Sequence, residues 1–131
     1  MLDNKDFREW IRFAENDIES AEVLSKIYKP KIEIACYLCH QSAEKALKAY
    51  LIFHNIEYKL IHNLSILCSD CQEIDNTFSM LNKHCFTLNR FSNVARYPSP
   101  IQVGEIEMKQ GIKLANEVLN FVKEKINKEQ T

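Results

Sequence analysis

Three groups of residues in this 131-residue sequence have the types and spacing that chemistry requires. Two cysteine pairs, Cys36-x-x-Cys39 and Cys68-x-x-Cys71, look like the halves of a four-cysteine zinc site. A polar run, HQSAEKALKAY, carries charged side chains at helical spacing. A third segment, residues 76–104, contains basic residues and no acidic one. The three groups suggest a metal site, a polar network within a helix and an anion-binding surface.

The surroundings of the cysteines argue against zinc. Cys36 and Cys39 lie within an apolar helical segment that lacks the glycines with which zinc ribbons bend around the metal. A free cysteine packs as a small apolar residue, and five cysteines, an odd number without an export signal, indicate reduced thiols rather than a disulfide framework. We therefore assign no metal site and no cofactor.

The polar run places four side chains on one narrow stripe of its helix, because Gln41, Glu44, Lys45 and Lys48 fall at offsets of 0, 3, 4 and 7. The rest of that helix is apolar around most of its circumference. Buried charges without partners are costly, so these groups need partners in other helices or in a second subunit. The alternative is a surface pair between Glu44 and Lys48, with the other two side chains solvated.

The acid-free segment offers groups that suit a phosphate. With 17 basic and 18 acidic residues the chain is not a globally basic nucleic-acid binder, but Arg90 and Arg96 have guanidinium groups that match phosphate oxygens. Tyr97 beside them could stack on a base or cap a pocket. The alternative role for Arg96 is an ion pair with Glu44 that ties the loop to the bundle.

Two enzyme classes lack their sequence signatures. No cysteine has a histidine in an obvious nucleophile setting, so acyl transfer has no motif here. Two glycines in the whole chain cannot form a phosphate-binding loop.

The scarcity of chain breakers predicts the elements that position these residues. An all-β domain of this length would need many more turn residues than two glycines and three prolines. We predict a single all-α domain over residues 1–131, an antiparallel up-and-down bundle of four main helices and one short helix, with residues 127–131 as a frayed tail. The predicted helices span about 7–28, 31–54, 63–74, 78–88 and 104–128, and the long loop spans 94–103. No apolar run suits a signal peptide or a membrane span, so we expect a cytoplasmic protein.

The polar run and three further matches resemble the HEPN family of helical nucleotide-binding domains over residues 5–125. The run itself covers residues 40–50 and is the most specific of the matches. The others are Trp10 and Ala14 with Asp17, Ile18 and Ala21 in the first helix, Ile61-His62-Asn63-Leu64 at the start of the third, and Arg96-Tyr97-Pro98 in the long loop. Asn63 stands where the family often has Asp, and it keeps the ability to cap a helix.

The resemblance implies a helical bundle, frequently a homodimer, that works beside a minimal nucleotidyltransferase. Some relatives are metal-independent ribonucleases with an arginine followed after four to six residues by histidine. No arginine here is followed by histidine at that spacing. This argues against catalysis by that chemistry, and we assign no catalytic residue.

The first hypothesis is a dimeric module that binds a nucleotide or RNA phosphate. Its candidate ligand-binding residues are Lys45, Lys48, Arg90, Arg96 and Tyr97, and its supporting polar residues are Gln41, Glu44 and His62. The second is a protein-binding toxin or antitoxin component, in which Arg96 and Tyr97 face the nucleotidyltransferase or are the site that it modifies. The third is a ribonuclease that uses His62 or His84 with Arg96.

Overall fold

The computed structural model describes residues 6–96, 98 and 102–131, and every regular element in those ranges is helical. The helices are α1 (Phe7–Lys26), α2 (Ile32–Phe53), α3 (Leu64–Ile74), α4 (Asn82–Leu88) and α5 (Glu105–Glu129). Short 3-10 helices at Asn76–Leu81 and Asn89–Phe91 flank α4. The predicted all-helical bundle is confirmed. None of the helices within these ranges is both long enough and apolar enough to cross a bilayer.

Helix α2 is the centre of the bundle, with 14 of its 22 residues buried. Helix α1 packs against it in the opposite direction, so that Phe7 meets Phe53 while the backbone of Lys31 bonds Leu24. Helix α5 runs in the same direction as α2, since Gly111 lies against Cys39 and the Tyr50 hydroxyl donates to Glu129. A helix contacted on several sides buries most of its circumference, as the distribution of apolar residues in α2 predicts.

The helix ends differ slightly from the predicted ones. Helix α1 stops at Lys26, two residues early, and Pro30 precedes the N-cap Lys31 instead of entering the first turn of α2. Lys29 takes a left-handed conformation, φ 56°, that turns the chain between the two helices. Helix α5 continues into the predicted tail as far as Glu129, because the side chains of Tyr50 and His54 hold that residue.

The predicted fourth helix is divided into the first 3-10 helix and α4. Asp75 caps the 3-10 helix by accepting from the Thr77 amide at 3.0 Å. The apolar residues that recur every three or four positions along this segment are nevertheless all buried. They are Phe78, Leu81, Cys85 and Leu88.

Candidate functional site

Two of the four side chains of the polar stripe of α2 are buried, while Gln41 and Lys45 are partly exposed. Glu44 and Lys48 are only 4% and 5% exposed, and Lys48 Nζ lies 2.7 Å from Glu44 Oε2. The ammonium also lies 5.0 Å from the centre of the Tyr58 ring and 6.0 Å from that of Trp10, in range of the attraction between a cation and an aromatic face. Glu44 and Lys48 are therefore a buried ion pair and not a solvated surface pair.

The Glu44 carboxylate also contacts a histidine that faces solvent, and both of its oxygens lie near that ring. Glu44 Oε1 lies 2.9 Å from Nδ1 of His62, whose side chain is 59% exposed just before α3. One turn earlier on α2, His40 donates from Nε2 to the backbone carbonyl of His62 at 2.9 Å. Two buried side chains thus hold both the ring and the backbone of His62.

The electrostatic surroundings keep the Glu44 side chain charged and the His40 side chain neutral. Burial alone would raise the pKa of the Glu44 carboxyl, but hydrogen bonds from Lys48 and His62 outweigh it and hold that pKa below its usual value. Burial lowers the pKa of His40, in spite of nearby Glu44. Glu44 is consequently a carboxylate and His40 a neutral hydrogen-bond donor near pH 7.

The start of α3 is tied to the 3-10 helix after α4. Asn63 is the N-cap and accepts from the amide of Ser65 at 2.9 Å, as the sequence indicates. The Asn89 side chain accepts from the amide of Leu64 at 2.8 Å and donates to Asn63. These side chains already bond the first backbone amides of α3. A ligand at this point would therefore be bound by side-chain donors and not by the helix N-terminus.

A polar cleft of about 340 Å³ opens between α2, the start of α3 and the segment after α4. It is lined by His40, Gln41, His62, Asn63, Asn89, Ser92, Asn93 and Arg96. Imidazole, amide, hydroxyl and guanidinium groups surround it, and none of the described acidic residues lines it. We call this the polar cleft.

Arg96 stands at the edge of the polar cleft. It is exposed, its Nη2 donates to the Tyr37 hydroxyl at 3.4 Å, and its guanidinium lies 5.7 Å from the centre of that ring. The alternative role for Arg96, an ion pair with Glu44, is not formed, because Lys48 and His62 occupy the Glu44 carboxylate. Tyr97 lies outside the described residues.

The other cations predicted to bind a ligand lie elsewhere. Lys48 is buried against Glu44, and Lys45 binds Asp17 at 2.6 Å beside an apolar groove at Trp10 and Phe13. Arg90 is exposed but does not line the polar cleft. Of the predicted site residues, the polar cleft brings together Gln41, His62 and Arg96, with Glu44 behind His62.

The sequence hypotheses omit several residues of the polar cleft. His40 precedes Glu44 by four positions, so helical spacing already places it on the same side of α2. Asn89 and Asn93 show the same spacing in the acid-free segment, whereas Ser92 has no sequence signal that we can identify.

The remaining histidines and the cysteines are used for packing and pairing. His84 binds Glu117 at 2.7 Å and does not line the polar cleft, so only His62 of the two histidines shares a site with Arg96. All five cysteines are free and buried, and burial raises the pKa of Cys36 to about 12. Among the described residues, no three metal-ligating side chains converge.

Comparison with known proteins places the fold. The model of the HEPN domain matches residues 7–125. ST0689, an archaeal HEPN homologue, has a crystal structure that is 30% identical with a TM-score of 0.73, and the match covers 92% of this chain and 97% of that one. TT1696 from Thermus thermophilus has a TM-score of 0.82 at 23% identity, with 93% and 99% of the two chains covered. A comparison with curated proteins finds no significant match. The family match over most of the chain, together with these structures, shows that this protein belongs to the HEPN domain family.

Proposed function

We propose that the polar cleft binds the phosphate of a nucleotide or of RNA. The observation that carries the proposal is the lining itself, where Arg96, the His62 imidazole and several amides converge without a carboxylate. Guanidinium groups form paired, charge-assisted hydrogen bonds to phosphate oxygens, and amides and imidazoles supplement them. Tyr37, which contacts Arg96, supports its side chain at the edge of the cleft.

We propose further that the module is a cytoplasmic homodimer that acts with a minimal nucleotidyltransferase, as one component of a toxin–antitoxin pair. Family membership supports the partner, the position of Arg96 on an exposed segment leaves it accessible to one, and five free thiols suit a reducing compartment. Light scattering would measure the oligomeric state. Intact mass after incubation with the partner and ATP would detect nucleotidyl transfer, and an unchanged mass would exclude it.

Calorimetric titration with ATP, GTP and a short RNA tests the binding proposal. We expect at least one of them to bind. Arg96→Ala should weaken that binding by about 10- to 100-fold, because the substitution removes a charge-assisted hydrogen bond. Arg12→Ala is the matched control, because Arg12 is an exposed arginine of α1 that pairs with Glu9. Absence of heat with all three ligands, or equal losses in the two variants, would contradict the proposal.

The contact between Glu44 and His62 favours a second candidate function, a ribonuclease whose site differs from the arginine and histidine motif of its relatives. His62 Nδ1 faces a carboxylate, while its Nε2 has no partner among the described residues, as in a histidine oriented for proton transfer. In RNA cleavage Nε2 would take the proton of the 2′-hydroxyl as that oxygen bonds phosphorus. The bond from phosphorus to the 5′ oxygen would break, and this oxygen would take a proton from water. Arg96 would bind the phosphate.

Cleavage of a labelled RNA decides between binding and catalysis. The ribonuclease candidate requires His62→Ala to lose about 100-fold or more of the rate, the usual share of a general base. Circular dichroism checks that the variant is folded, and His84→Ala is the control because His84 lies outside the polar cleft. Intact RNA with the unaltered protein, or cleavage that His62→Ala leaves unchanged, removes the candidate.

A further inference from the structure

Three outward side chains of α4 and of the turn after it are not part of the polar cleft. Lys83, Phe86 and Arg90 follow one another at intervals of three and four residues, so they share one face. The opposite face holds the buried Cys85 and Leu88. Phe86 is 75% exposed and therefore contributes almost nothing to the core. We call the three outward residues the α4 stripe.

The cations of the α4 stripe form no direct ion pair, although Arg90 lies close enough to Glu107 on α5 for an electrostatic attraction. Neither Lys83 nor Arg90 has an ion pair among the residues that the structure describes. On the adjacent part of α5, Glu117 binds His84 at 2.7 Å and Glu107 accepts from the Gly104 amide at 2.8 Å, while Glu105 is exposed. The chain supplies no acidic residue from position 76 to 104. The α4 stripe is a positively charged surface with an aromatic ring at its middle.

Helix α5 carries two further exposed lysines among the acidic residues Glu105, Glu107 and Glu117. Lys109 and Lys113 precede Glu117 by eight and four residues, which places them on the side of α5 that includes the contact with His84. Both are exposed, and neither forms an ion pair in the described part of the chain.

The α4 stripe lies next to the polar cleft. Phe86 precedes Asn89 by three residues and Asn93 by seven, and both asparagines line the polar cleft. At about 1.5 Å per residue, Phe86 is roughly 4.5 Å from Asn89 along the helix axis. A chain with one phosphate in the polar cleft would have to extend by only about one helical turn along the axis to reach the level of the α4 stripe.

We propose that the α4 stripe binds the continuation of a single-stranded nucleic acid whose phosphate occupies the polar cleft. Phe86 stacks on an unpaired base, and Lys83 and Arg90 contact the flanking phosphates. The inference rests on the proposed function and narrows its ligand from a mononucleotide to a single-stranded oligonucleotide. An exposed ring stacks on a base only when that base is unpaired, which excludes a regular duplex.

The charges distinguish this ligand from a protein partner. The centres of protein interfaces are depleted in lysine, and their charged residues are paired. Here the aromatic side chain has an exposed cation about one turn away on each side, an arrangement that alternates as bases and phosphates do along a single strand.

Fluorescence anisotropy with a labelled single-stranded RNA of 12 nucleotides, its duplex and ATP tests the inference. We expect the single strand to bind most tightly, and Phe86→Ala to weaken its binding by about tenfold. Phe86→Trp should keep the affinity and Phe86→Leu should lose it, because stacking requires a flat ring. Met80→Ala, which removes another exposed apolar side chain, is the control.

Salt dependence tests the two cations. The double variant Lys83→Gln, Arg90→Gln should lower the slope of log affinity against log salt by about 1.4, from two lost phosphate contacts on a single strand. Lys26→Gln with Lys31→Gln removes the same charge from exposed lysines near the turn between α1 and α2 and should leave the slope nearly unchanged.

The outcomes separate the two proposals. If RNA binds and Arg96→Ala weakens it while the Phe86 variants bind as the unaltered protein does, the α4 stripe is not used and the proposed function stands. Duplex or ATP binding as tight as that of the single strand also overturns the inference. If Phe86→Ala converts a dimer to a monomer in light scattering without RNA, the α4 stripe is a subunit interface and the inference is wrong. Failure of every ligand to bind overturns both proposals.

Discussion

At the scale of single residues, Glu44 connects the interior of the protein to the polar cleft. Its Oε2 accepts from buried Lys48, and both of its oxygens contact Nδ1 of exposed His62. Its position on α2 and its spacing from Lys48 follow from the sequence. The contact with His62 spans 18 residues and depends on the path of the chain between α2 and α3. Charge and local spacing were predictable here, but the choice of partner was not.

Removal of the Glu44 carboxylate should lower the free energy of unfolding more than removal of a less buried carboxylate does. Glu44→Ala leaves the Lys48 ammonium buried without a counter-charge, which costs about 3–5 kcal/mol. Denaturation in urea measures the loss. Asp17→Asn breaks the more exposed pair with Lys45 and should cost about 1 kcal/mol or less.

A double variant separates the charge from the packing. Lys48→Met combined with Glu44→Gln removes both charges, and we expect it to recover much of the lost stability because no unpaired ion remains. Equal stability of Glu44→Ala and Asp17→Asn would show that the buried pair is not important for folding.

At the scale of elements, α5 approaches α2 and the segment after α4 at a glycine. A Cβ atom at Gly111 would lie 2.9 Å from a ring carbon of Phe91 and 3.6 Å from the sulfur of Cys39. Scarcity of glycine predicts helices, yet this glycine lies within a helix. The amphipathic pattern of α5 places Gly111 on the inward face, but only the packed elements reveal the close approach.

Gly111→Ala should therefore destabilise the protein by about 1–3 kcal/mol, the usual cost of overpacking. Helix propensity alone favours alanine over glycine by about 1 kcal/mol in the opposite direction. Phe91 is 1% exposed, so its ring has no room to withdraw. Thermal unfolding measures the change, and Phe91→Leu in the Gly111→Ala background should recover part of it. A more stable Gly111→Ala protein would contradict this account of the crossing.

At the scale of the whole molecule, stability depends on protons that the folded and unfolded chains bind differently. The folded protein keeps His40 neutral, with a pKa below its ordinary 6.5, because the residue is buried. The unfolded chain binds a proton there near the ordinary value. The contribution of neutral His40 is therefore complete above pH 6.5 and is lost as the pH falls through 6.5 toward the folded pKa.

Unfolding at pH 7.5 and pH 5.5 tests this dependence against His40→Gln. The variant keeps an amide donor but does not titrate in this range, so the stability advantage of the unaltered protein should shrink at pH 5.5. The other histidines, His54, His62 and His84, contact carboxylates in both proteins. Their contribution to the pH dependence therefore cancels in the comparison. An advantage that grows at pH 5.5 would show that His40 gains a proton on folding.

The sequence by itself determined the helical class, the inward stripes, the cap at Asn63 and the family. Each of these depends on a backbone hydrogen-bond period of four residues or on a short motif, so neighbours along the chain suffice to define it. Only the tertiary structure decided that His62 and Arg96 share the polar cleft while Lys48, Lys45 and Arg90 lie outside it. Helical spacing states which side chains share a face, but the packing of α2 against α3 and the segment after α4 determines what each face meets. A residue with suitable chemistry therefore becomes part of a site only when a second element packs beside it.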